Sequence, residues 1–134
     1  MNYDAILGRS FDDPAVTGYV GRYGCEPNGL HYLCRQAGTQ LDFNTGRRLV
    51  NMLLYAPGVE GVFGYTGSLP GGLLWTDTTP DVERKLGPPQ SSYPGYPPTM
   101  AFSVYQDPSL LITWHTTGTP GPDTTMHHLQ VNAP

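Results

Sequence analysis

Apolar and polar positions alternate along this chain with two different periods. In "DDPAVTGYVGRYG", residues 12–24, Val16, Tyr19, Val20 and Tyr23 recur at i, i+3, i+4 and i+7, the stripe of a one-faced helix. Asp13 is placed to cap it, Pro14 suits its first turn and Gly24 its end. The spacing predicts a helix over 13–23. Period-two segments follow. "LHYLCRQA" alternates loosely and "TQLDFN" well, and Asn44-Thr45-Gly46 turns the chain into "RRLVNMLLYA", which Pro57-Gly58 ends. A second helix is predicted over 80–86, with Thr79 as cap, Pro80 at its first position, Val82 and Leu86 as anchors and Gly87 as stop. "TMAFSVYQ", "LLITWHTT" and "TTMHHLQVN" then read as three more strands, the first two joined by an Asp107-Pro108 turn.

Asp13-Pro14-Ala15-Val16 and Thr79-Pro80-Asp81-Val82 share one pattern, and each precedes a set of strands. A supersecondary unit that occurs twice explains this. The expectation is an α+β fold in one domain, residues 1–134. It would hold two pseudo-repeats, about 5–58 and 70–132, each a helix plus antiparallel strands, forming one curved sheet.

Composition narrows the function. Seven Lys and Arg against eleven Asp and Glu give a net charge of −4, the wrong sign for a chain that must neutralise phosphates. Nucleic acid is therefore not expected as a partner, and a basic protein surface is. The longest apolar run, Met52 to Ala56, is too short to span a bilayer, and Met1 to Phe11 lacks the pattern of a secretion signal. No membrane partner is expected, and the reading is a soluble cytoplasmic protein. In a reducing cytosol Cys25 and Cys34 are expected as two thiols, and their spacing does not suit zinc.

Candidate chemistry is sparse. His31 and His115 stand alone, whereas His127 and His128 should leave a strand on opposite faces and so not chelate together. Cys25 or Cys34 with His115 could be drawn as a nucleophile and base, but no surrounding motif supports the pairing. "GSLPGGL" lacks the Lys-Ser/Thr ending of a phosphate loop. Asp77, Asp81 and Glu83 at a helix start are explained by the helix dipole alone. No enzyme activity, cofactor or metal is expected. The tyrosines carry more. Tyr93 and Tyr96 sit in the extended "PPQSSYPGYPP", and Tyr65 on a glycine-flanked turn. Tyrosine supplies large contact area at low entropic cost. Packing of these rings over the sheet edge is the structural alternative.

One stretch, "YTGSLPGGLLWTDTTPDVERKLGPP", resembles small bacterial proteins that read Tyr-x-Gly-x-Leu-Pro-x-Gly-Leu and then a Val-bearing helix ending Leu-Gly-x-Pro. The matching positions here are Tyr65, Gly67, Leu69, Pro70, Gly72, Leu73, Val82, Leu86, Gly87 and Pro89. Together with "DDPAVTGYVGRYG" and "LDFNTGRRLVNMLLYAPG", the pattern is similar to immunity proteins of bacterial polymorphic-toxin systems, over about residues 5–115. The helix-then-sheet repeat also resembles the β-lactamase inhibitory protein architecture. The resemblance implies a stoichiometric inhibitor that binds a cognate toxin domain one to one and occludes its active site. Pro70 and the glycines of the stretch then build a corner of the fold, which leaves the sheet face and loops to meet the partner. Candidate contacts are Glu60, Tyr93, Tyr96 and Trp114. The alternatives are that Trp114 is core and Glu60 merely solvated, and that the sheet face serves a small-molecule or assembly-accessory module.

Overall fold

A cap, a proline and an apolar stripe coincide at Asp13, and a helix starts there. In the computed structural model, which describes residues 2–134, α1 spans Pro14–Arg22, and the Asp13 carboxylate accepts the Ala15 amide at 2.8 Å. Val16 and Tyr19 are its buried residues, and the Tyr19 hydroxyl shares a 2.8 Å hydrogen bond with that of buried Thr39. Burial pushes the Tyr19 phenol up to about 12 despite that bond.

The second helix, α2, spans Thr79–Leu86, with its cap one residue earlier than the sequence reading placed it. Asp81 decides the shift. Its carboxylate accepts both the amide and the hydroxyl of Thr78 at 3.0 Å, so Thr78 is the cap and Thr79 and Pro80 open the helix. The Thr78 amide, then the Arg84 guanidinium, hold the Asp81 carboxyl down at about 2. Gly87 ends the helix as expected.

The strands are β1 (Glu26–Asn28), β2 (His31–Cys34), β3 (Thr39–Phe43), β4 (Leu49–Tyr55), β5 (Ser91–Tyr93), β6 (Phe102–Gln106), β7 (Ser109–Trp114) and β8 (Met126–Asn132). They form an eight-stranded sheet in the order β1-β2-β3-β4-β8-β7-β6-β5, with antiparallel hairpin pairings. β3 keeps the alternation of its sequence, with Thr39, Leu41 and Phe43 buried. β1 and β5 were not anticipated, because three residues flanked by proline or glycine show no period.

The chain divides into two units, Met1–Gly67 with Gln130–Pro134, and Ser68–Leu129. The core of the first includes Ile6, Val16, Leu41, Leu49, Met52 and Leu54; that of the second includes Val82, Leu110, Ile112, Met126 and Leu129. Each such side chain contributes roughly 1.5–3 kcal/mol of burial.

Cys25 and Cys34 are joined in a disulfide, which overturns the reading of two thiols. Register is the reason. Glu26 stands opposite Leu33 in the β1–β2 pairing, so the residues just outside, Cys25 and Cys34, face each other. Tyr65 also differs from expectation. It is buried, and its hydroxyl accepts the Tyr3 amide at 2.8 Å. Gly67 lies so close that a Cβ there would come within 2.3 Å of that oxygen. At Gly71, φ +66 and Leu86 only 2.3 Å from a would-be Cβ make the corner that the sequence reading gave to this stretch.

Candidate functional site

The Pro-rich stretch becomes an edge hairpin whose rings line a groove. In the β5–β6 pairing Tyr93 faces Phe102 and Ser92 faces Ser103. The Tyr93 and Phe102 rings stack with centroids 4.7 Å apart, which covers one side of Tyr93 and leaves the residue 48% exposed. Trp114, at the end of β7, is only 3% exposed, and its indole Nε1 donates to Ser103 Oγ at 3.0 Å. Ser103 Oγ in turn lies 3.2 Å from Ser92 Oγ. Around these groups lies a groove of about 370 Å³, walled by Tyr93, Phe102, Tyr105 and Trp114 and rimmed by Pro89, Pro94 and Pro120. Thr79 and Glu83 of α2 line it as well.

Two hydroxyls among the lining residues are held by backbone carbonyls. The Tyr105 hydroxyl donates to the Gly87 carbonyl at 3.1 Å, and the Thr79 hydroxyl to the Gly121 carbonyl at 3.0 Å. Burial raises the Tyr105 phenol, and the negative charge of Glu83 raises it further. Glu83 is the single charged residue among those lining the groove. The other charges of α2 pair locally: Arg84 with Asp81, and Lys85 Nζ with Asp77 Oδ2 at 2.7 Å. Asp77, 6% exposed, also accepts the Leu74 amide at 2.8 Å. It therefore anchors the turn before α2, a role beyond helix-dipole complementarity.

Of the four residues expected at an interface, Tyr93 and Trp114 meet in this groove, Trp114 as a buried wall rather than a protruding anchor. Tyr96 is 74% exposed, next to the groove in sequence but outside its lining. Glu60 is exposed at φ +53 in the first unit. Glu83, Phe102 and Tyr105 were not singled out by the sequence. Glu83 was explained away by the helix dipole, and the two rings read simply as strand residues.

The first unit carries an aromatic cluster of its own. The Phe11 ring lies 5.4 Å from Tyr32 and 5.3 Å from Phe43, and Arg47 covers it with its guanidinium carbon 4.4 Å from the centroid. A cleft of about 260 Å³ beside it is lined by these residues, Gly29 and Leu30.

The histidines correct another expectation. His127 and His128 meet Nδ1 to Nδ1 at 2.8 Å, and the ring of His115 stands edge-on to that of His127 with centroids 5.2 Å apart. Burial, then the charge His127 would carry, pushes His128 down to about 4. Among the described residues no group of three His, Cys, Asp or Glu is placed to hold a metal ion. No helix among them is long and apolar enough to cross a membrane. No family model matches the chain, and no curated protein or solved structure does.

Proposed function

We propose that this chain is a binding protein that neutralises a cognate toxin domain by covering its active site in a one-to-one complex. The observation that carries the reading is the groove of the second unit, where a half-exposed Tyr93 on a proline-framed strand lines an aromatic wall with one carboxylate. A preordered surface of this kind binds without large ordering costs, and buried aromatic anchors dominate such interfaces. The toxin itself enters through the sequence resemblance to immunity proteins. The Cys25–Cys34 disulfide favours an oxidising compartment over the cytosol as the place of action, since a reducing cytosol keeps thiols apart.

The test pairs co-purification with the product of the neighbouring gene and a growth-rescue assay. In the folded Tyr93→Ala/Tyr96→Ala variant, affinity for that product should fall by about 2 kcal/mol or more, with rescue weakened. Unchanged affinity and full rescue in a double mutant with native melting behaviour would remove this surface from the interface. A second reading, a small-molecule module, draws on the groove volume of about 370 Å³, which lies in the range of ligand pockets. Saturable binding of a small ligand with no protein partner recovered would favour it.

A further inference from the structure

We propose that the groove of the second unit receives an arginine side chain of the protein partner, its guanidinium laid against Tyr93 and its charge met by Glu83. This rests on the binding function proposed above and specifies the chemistry of the contact.

Charge is the first argument. Glu83 is the single charged residue lining the groove, and among the described residues no cation is paired with it. The neighbouring basic groups, Arg84 and Lys85, are held by Asp81 and Asp77. The chain as a whole is at −4, which steers basic partners towards it.

Hydrogen-bond capacity is the second. Three donors of the wall are already used: Trp114 Nε1 on Ser103, the Tyr105 hydroxyl on Gly87 and the Thr79 hydroxyl on Gly121. The Tyr105 and Thr79 hydroxyls, their protons committed, keep only acceptor lone pairs beside a carboxylate, and the indole of Trp114 adds a ring face. A guanidinium suits that balance because it has five donors and no acceptor. It is also planar and weakly hydrated, so it stacks on a ring where an ammonium stays solvated. The molecule makes such a contact internally in the first unit, with Arg47 over Phe11 at 4.4 Å. Among the described residues, no cation lies over Tyr93, Phe102 or Trp114.

The experiment uses the full chain, isotope-labelled, and three capped pentapeptides that differ only in a central arginine, lysine or citrulline, the last being the uncharged isostere. The reporter is the Trp114 indole N–H resonance. The arginine peptide should give a saturable shift, with the lysine peptide several-fold weaker and citrulline at least tenfold weaker. Glu83→Gln should weaken arginine binding at least fivefold, whereas Asp12→Asn, the same charge change on the first unit, should leave it as it is. Equal binding of arginine and citrulline, indifference to Glu83→Gln, or no shift at all would each overturn the proposal. The two readings fail separately. If the tyrosine double mutant loses the toxin while the arginine peptide never bound, only the arginine contact falls. If the peptide binds as expected but Glu83→Gln and the tyrosine double mutant hold the toxin at full affinity, this groove is not the toxin surface.

Discussion

The two aromatic clusters are built from similar residues and differ in what completes them. In the first unit Phe11, Tyr32 and Phe43 are covered by the chain's own cation, Arg47. In the second, the stacked Tyr93 and Phe102 line a groove with Trp114 and a carboxylate, Glu83, and the groove is left open. One cluster is finished by folding, and the other presents acceptors and ring faces outward. The ties that hold each unit differ as well: a covalent closure of the β1–β2 hairpin in the first, an ion pair from exposed Lys85 of α2 to buried Asp77 in the second.

The largest effect that would probe this contrast is at Asp77. Asp77→Ala leaves Lys85 Nζ without its carboxylate and the Leu74 amide without its acceptor. The two lost hydrogen bonds to a buried carboxylate should together cost about 3 kcal/mol in urea unfolding. Glu26→Ala, which breaks the exposed Arg35–Glu26 pair of the first unit, should cost less than about 1 kcal/mol. Equal costs would show that the second unit does not depend on its ion pair. Next comes reduction of Cys25–Cys34, which closes a loop of sequence separation 9 and should lower stability by about 2–3 kcal/mol. Identical melting with and without reductant would dismiss the disulfide as a constraint on the first unit. The smallest effect belongs to Arg47. Arg47→Gln removes the cation from Phe11 and should cost only about 0.5–1 kcal/mol. A melting curve unchanged by it would mean that the first cluster stands by ring packing alone.

Both helices were legible because their signals are local. A cap, a proline and a glycine stop act within a few residues, and even the one-residue shift at Thr78 follows from the spacing to Asp81. The long strands were legible for the same reason. What escaped depended on pairing across the chain. Cys25 and Cys34 meet because β1 exists, and Glu26-Pro27-Asn28 carries no alternation to announce it. Trp114 was placed on the right strand, but Ile112, Thr113 and Trp114 are all buried in succession, so alternation could not foretell its depth. The groove was half visible. Tyr93 stood out in its proline-rich setting, whereas Glu83 had a sufficient local explanation and only the fold puts it beside Tyr105 and Trp114.

The two ends of the strand order have a consequence for how another chain could attach. β1 lies at one end, with Glu26, Pro27 and Asn28 all exposed, and Pro27 has no amide to offer. At the other end β5 is three residues long, between Pro88-Pro89 before it and Pro94 after it. An added strand needs a run of unpaired amides and carbonyls, and both ends are short and broken or bounded by proline. A visiting protein, or a second copy of the chain, finds little backbone to zip onto at either end. This favours attachment through side chains fitted into side-chain surfaces, and it disfavours edge-to-edge stacking, a usual first step toward fibres.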